Sequence, residues 1–168
     1  TVMIDFSLEF GKLKGTEFLS FVQNVVDVRF IAVGENFHCG YNMDTSAWRM
    51  KELLEPKGIK VQILPSIYRG GEVVSSTRIR NAILEGDMYT AMDLLGHPFE
   101  LDLTDLPVYT EEGRSLLSRK YVTQVLPKQG TFTVQYWFQG EKQKGILEID
   151  EKFLSWHSNG SVDAITFT

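Results

Sequence analysis

The 168-residue sequence has one cysteine, Cys39, so no disulfide can close within it, and a reducing compartment is the natural setting. It has no run of lysine or arginine, and its net charge is −5, which argues against a nucleic-acid groove. No apolar run approaches membrane-spanning length and no signal peptide is visible. A cytoplasmic protein with neither a membrane nor a nucleic-acid partner is therefore expected. The three histidines, His38, His97 and His157, stand alone. His38 and Cys39 are adjacent, so they point different ways, and no second pair has metal-ligand spacing. No residue is expected to ligate a metal. Repeats and low-complexity tracts are absent too. The chain starts at Thr1 with a strand-like Val2–Phe6, and so reads as cut from something longer.

What is present is enough for a core. Hydrophobic residues make up 43% of the chain, and its length suits one or two small domains. The most informative stretch is Val73-Val74-Ser75-Ser76-Thr77-Arg78-Ile79-Arg80. Two β-branched residues end a strand, and Ser75 or Ser76 caps a helix. Acids usually fill a first turn, where the helix dipole is positive. Arg78 and Arg80 stand there instead, which makes sense if an anion sits at this end. Free amides, hydroxyls and guanidinium groups bind phosphate well. An ordinary cap with two solvated arginines is the plainer alternative.

Along the chain, Thr16 is read as the cap of a helix from Glu17 to about Val26, with Leu19, Val22 and Val26 on its buried face. Arg29–Val33 is nearly all apolar, as buried parallel strands are. It runs into the loop Gly34–Asp44, at a strand's carboxyl end where open α/β sheets bind ligands. Ser46 caps a helix from Ala47 to about Glu55 with Ala47, Met50 and Leu54 on one face, and Trp48 is read as a partly buried wall. Pro56 and Gly58 end that helix. Lys60–Leu64 alternates as a strand does. Arg69-Gly70-Gly71-Glu72 is a turn.

The helix after Ser76 should carry Ile79, Ile83 and Leu84 inward and stop at Gly86. Asp87 caps another, whose Met88, Ala91, Met92 and Leu95 are read as core packing. Leu101–Arg114 is acidic and turn-rich, and reads as a linker or cover. From about Arg119 only strand signals remain: Thr131–Phe138, a turn at Gly140, Gly145–Ile149, a hairpin turn at Ser158-Asn159-Gly160, and Val162–Phe167. That spacing predicts an antiparallel barrel or sandwich.

Three motifs in order resemble a known family. Ser75–Arg80 is similar to the "SSTxIR" signature of nucleotidyltransferases. Gly34-Glu35-Asn36-Phe37-His38-Cys39-Gly40 resembles the glycine, acidic-or-amide, phenylalanine and glycine loop of prokaryotic FAD synthetases. Leu94-Leu95-Gly96-His97-Pro98-Phe99 resembles the join between their FMN adenylyltransferase and riboflavin kinase domains. The resemblance implies an α/β fold: a Rossmann-like nucleotidyltransferase with a parallel sheet, then a small antiparallel β-barrel. It places the carboxyl-terminal part of an adenylyltransferase domain at 1–99 and a degenerate riboflavin-kinase-like domain at 100–168.

The activity implied is transfer of AMP from ATP to FMN, giving FAD and pyrophosphate with Mg²⁺. Ser76, Thr77 and Arg80 are the implied catalytic residues, with Ser75 and the lower-ranked Arg78 also at the phosphates. Gly34, Asn36, Phe37 and Gly40 are implied at the adenosine end. Weak self-association is the only protein contact expected. Two departures qualify this reading. The family's amino-terminal pair of histidines is missing, so catalysis needs a longer chain. The kinase's Gly-Phe-Pro-Thr-Ala-Asn loop is missing as well, so kinase activity is expected to be lost. The alternatives are an adenylyltransferase for another small molecule, such as pantetheine phosphate or nicotinamide mononucleotide, and a flavin- or nucleotide-binding module without catalysis.

Overall fold

The computed structural model describes residues 7–158, 160 and 162–168, and Val2–Phe6 lies outside them. The chain is mixed α/β and divides into two compact units, 1–68 and 69–168.

In the first unit, α1 (Gly15–Val25) starts earlier than Thr16 suggests. Glu17 accepts a hydrogen bond from the Lys14 amide at 2.7 Å, which moves the cap back to Lys14. Leu19 is buried, Val22 half-buried and Val26 exposed, so the buried face is narrower than its periodicity implies. Strand β1 (Phe30–Gly34) leads through a two-residue hairpin, β2 (His38–Cys39) with β3 (Thr45–Ser46), to α2 (Ala47–Leu54) and then β4 (Lys60–Leu64). The Ser46 hydroxyl accepts from the Arg49 amide at 3.2 Å, and Ala47, Met50 and Leu54 are all buried, as the sequence predicts. Trp48 is instead 61% exposed.

β1 and β4 pair in parallel, Phe30 opposite Lys60 through Gly34 opposite Leu64. Neither is fully buried, however. Among the described residues the sheet has only these two strands, so on β1 side chains alternate between half-buried and exposed, with Phe30 51% exposed, and on β4 only Val61 is buried. The core here is Leu19, Met50, Leu54, Ile59 and Val61.

A short hairpin, β5 (Tyr68–Arg69) and β6 (Glu72–Val73), turns at Gly70 and Gly71. Both have positive φ, as a two-residue turn of this hand requires. It leads to α3 (Ser76–Glu85) and α4 (Met88–Leu95), which stop at left-handed Gly86 and Gly96. Ile83 is buried as expected, but Leu84 is 50% exposed, and Met92 also faces outward; Met88 does pack on the core.

The rest is one antiparallel sheet curled into a half-barrel. Its strands are β7 (Glu100–Asp102), β8 (Tyr109–Glu111), β9 (Arg114–Ser118), β10 (Gly130–Phe138), β11 (Glu141–Ile149), β12 (Phe153–His157) and β13 (Ala164–Phe167). They lie in the order β7-β13-β10-β11-β12-β9-β8. Leu101–Arg114 is therefore not a linker or cover: it supplies both edge strands. Ser158–Gly160 does not close a hairpin either, because β13 crosses back to pair with β10 and β7. Asn159 lies outside the described residues. The core of this unit includes Leu101, Leu117, Val134, Leu147, Leu154, Trp156, Ile165 and Phe167.

Candidate functional site

The amino end of α3 is built by its own cap. Ser75 is extended, and its hydroxyl accepts from the Arg78 amide at 3.2 Å. Its carbonyl takes the Ile79 amide at 3.0 Å. That leaves the Ser76 and Thr77 amides with no acceptor among the described residues, as the geometry of a helix start dictates. The first turn has no acidic residue. Ser76, Thr77 and Arg80 are exposed, and neither the two hydroxyls nor the Arg80 guanidinium has a side-chain partner among the described residues. Two amides, two hydroxyls and one guanidinium thus collect at the positive end of a ten-residue helix.

Arg78 is placed differently from Arg80. Its Nη1 donates to the Arg69 carbonyl at 2.8 Å and to the Glu72 carbonyl at 3.1 Å, and its Nε lies 3.3 Å from Glu72 Oε2. Two positions apart on a helix is roughly 200° of rotation, so the two arginines leave on opposite sides.

In the first unit, Gly34, Asn36 and Phe37 come together at the carboxyl ends of β1 and β4, and Gly40 lies against Gly15 at the amino end of α1. The Glu35 amide extends the sheet by donating to the Leu64 carbonyl at 2.8 Å. The Phe37 amide then turns back on the Gly34 carbonyl at 3.0 Å. Ser66 ties the loop after β4 to this turn. Its amide donates to Glu35 Oε1 at 3.0 Å, and its hydroxyl accepts from Asn36 Nδ2 at 3.1 Å. Ser66, first through its hydroxyl and then through its backbone N–H, holds the Glu35 carboxyl below the usual range.

Gly40, at φ 82°, has no alternative residue type. A Cβ there would overlap the Gly15 backbone nitrogen and the Asp44 carboxylate. Asp44 Oδ1 accepts from the Gly15 amide and the Thr45 hydroxyl, both at 2.9 Å, and so anchors the amino end of α1. Gly34 is different: a side chain there would meet nothing within 4 Å, so packing does not explain a glycine. Burial, and then the negative charge of Asp44, push the Cys39 thiol up.

The sequence reading did not include Ser66, and took Asp44 only as the end of the loop. Nor did it place a cleft of about 270 Å³ lined by Phe10, Leu13, Phe18, Phe37, Cys39 and Gly40. The apolar punctuation at Phe10, Leu13 and Phe18 was the available signal. Phe10 and Phe18 meet edge to face, 6.1 Å between centroids. A larger cleft of about 650 Å³ in the half-barrel is lined by polar groups including Glu112, Glu141 and His157, and touches none of the sequence-predicted residues.

Comparison with known proteins follows the same outline. Residues 1–78 match the family model for FAD synthetase. The bifunctional riboflavin kinase/FMN adenylyltransferase of Escherichia coli K12 is 27% identical over 145 residues, 83% of this chain and 46% of that protein. An FAD synthetase of Listeria monocytogenes is 30% identical over 95 residues, 56% of this chain and 39% of that one. FAD synthetase 1, chloroplastic, of Arabidopsis thaliana is 25% identical over 165 residues, covering 83% and 45%. The chain thus spans less than half the length of these relatives. Among solved structures, one titled as a macrolide-efflux protein from Streptococcus pneumoniae superposes with a TM-score of 0.78 over 97% of this chain and 59% of that one. Its identity is 21%, so the likeness shows the fold alone. Over residues 1–78, the chain is thus similar to the FAD synthetases.

Proposed function

We propose that this chain is part of an FMN adenylyltransferase that transfers AMP from ATP to FMN and releases pyrophosphate. One observation carries the reading. Within a chain matching FAD synthetases, α3 begins with amides, hydroxyls and an Arg80 guanidinium that have no partner among the described residues, and its first turn holds no acid.

In this reading Ser76, Thr77 and Arg80 hold the ATP phosphates and neutralise charge as the FMN phosphate attacks the α-phosphorus. Ser75 sets the helix start. Gly34, Asn36, Phe37 and Gly40 serve the adenosine end, where the open space over Gly34 admits a ligand. No covalent intermediate is needed, because positioning supplies most of the rate.

Mg²⁺ is expected to arrive with ATP. The Ser76 and Thr77 hydroxyls are hard oxygen donors that suit it, and among the described residues no three carboxylate, imidazole or thiol groups cluster into a separate cage. The ion supplies charge neutralisation at the phosphates.

The fold assignment that accompanies this reading is a Rossmann-like nucleotidyltransferase domain ending near Phe99, followed by a kinase-like barrel at 100–168. The half-barrel lacks the kinase's nucleotide loop in sequence, so we assign it a scaffold role without kinase activity. Matches over 83% of the chain extend past Phe99 and support a shared layout there.

A substrate panel tests the proposal. The full-length protein, with ATP and Mg²⁺, should release pyrophosphate with FMN and not with pantetheine phosphate or nicotinamide mononucleotide. Release with either of those instead of FMN would overturn the substrate. No release with any of the three, from folded protein that still binds flavin or ATP, would favour a binding module.

A further inference from the structure

We infer that Arg78 is a positioning residue that straps the Arg69–Glu72 turn to the first turn of α3, and that Arg80 alone is the phosphate-facing arginine of this helix. The inference rests on the adenylyltransferase reading for its functional half. Its mechanical half rests on geometry alone.

A guanidinium has five N–H donors in a rigid fork. In Arg78 both protons of Nη1 are committed to backbone carbonyls, those of Arg69 and Glu72, the two residues that flank the Gly70–Gly71 turn. Nε faces the Glu72 carboxylate at 3.3 Å. The Arg78 amide meanwhile donates to the Ser75 cap. One residue therefore joins positions 69, 72, 75 and 78 into a closed local unit, and its side chain is only 27% exposed. Helical side chains lean toward the amino terminus, which lets the side chain reach back to the turn from which its own helix emerges.

The turn needs such a strap. Gly70 and Gly71 are the least restrained residue type, and strands β5 and β6 have two residues each, too few to hold a hairpin by themselves. The segment from Val73 to Ser75 links this hairpin to the cap. If the hairpin swings, the Ser76 and Thr77 amides and hydroxyls lose a fixed aim. Lysine cannot replace the arginine, because a point charge on a flexible stem does not span two carbonyls and a carboxylate.

The test uses the full-length protein with four variants: Arg78→Ala, Arg78→Lys, Glu72→Gln and Arg80→Ala. Three quantities are read: affinity for ATP with Mg²⁺ by calorimetry, thermal midpoint, and amide hydrogen exchange over 69–77. For Arg78→Ala and Arg78→Lys, ATP affinity should fall about tenfold to a hundredfold, as a misplaced site does. Protection should drop over 69–77 and not elsewhere. Glu72→Gln should stay near wild type, since both carbonyl bonds remain. Millimolar methylguanidinium should restore part of the affinity of Arg78→Ala and none of that of Arg78→Lys, whose side chain fills the space. A purely destabilising change would not respond to it.

Wild-type ATP affinity in Arg78→Ala, or unchanged exchange over 69–77 in both Arg78 variants, would overturn the inference. A wild-type protein that does not bind ATP would defeat the adenylyltransferase reading instead, and the strap would then be decided by exchange alone. If Arg78→Ala does not fold, Arg78→Lys carries the same readouts.

Discussion

The two glycines of the Gly34–Gly40 loop show how a residue's reason can be separated into structure and function. Gly40 sits at positive φ against the Gly15 backbone, so Gly40→Ala should destabilise the protein by about 3 kcal/mol or more, read as a lowered denaturant midpoint. Gly34 has open space where a side chain would go. Gly34→Ala should change stability by no more than about 0.5 kcal/mol, yet weaken ATP binding if adenosine approaches there. Equal thermal midpoints with unequal ATP affinities would separate the two roles. Arg80 has no partner to lose among the described residues, so Arg80→Ala should leave folding intact and weaken ATP binding by about 1.5–3 kcal/mol, measured by calorimetry. The residue types at these positions were legible in the sequence. The split between Arg78 and Arg80 was not, because only coordinates show that the Arg69 and Glu72 carbonyls lie within reach of one and not the other.

Elements were readable where a local rule decides them. The cap at Ser46, the stop at Gly86 and the cap at Asp87 all follow from side-chain oxygens and left-handed glycines next to a periodic run. The α1 start was misplaced because Thr16 is a common cap residue type, whereas Glu17, as the third helical residue, takes the Lys14 amide and sets the start two residues earlier. The backbone N–H of Thr90, and then its hydroxyl, hold the Asp87 carboxyl below its usual value. A lowered carboxylate value means stability that is present above the ordinary aspartate range and lost as pH falls through the lowered value. Asp87→Asn keeps an acceptor but no charge, so its thermal midpoint should match wild type more closely in acid than at neutral pH, as a pH series of melts would show. Strand order was the element-level failure. Alternation identifies β10 and β11, yet nothing local says that β13 returns to β10 instead of folding on β12. The short, acidic strands β7 and β8 carry too little apolar pattern to be told from loops, since as sheet edges they bury few side chains.

At the level of the whole molecule, the family match over residues 1–78 contains the Gly34–Gly40 loop and reaches Arg78 of the Ser75–Arg80 stretch, Leu94–Phe99 lies beyond it, and the half-barrel supplies its own separate core. Both strands were foreseen, β1 as a parallel one, but their pairing and the half-burial of β1 were not, because an apolar run reads the same whether a sheet has two strands or many. Riboflavin with ATP and Mg²⁺ should yield no FMN, as chromatography of the flavins would show; FMN formation would contradict the scaffold role of 100–168. The most direct test follows the α-phosphate. Full-length protein incubated with FMN, Mg²⁺ and ATP labelled at the α-phosphorus should place the label in FAD, with one pyrophosphate per FAD formed, and Arg80→Ala should slow this sharply. Label remaining in ATP or appearing in free AMP, with no FAD from folded protein, would contradict the account.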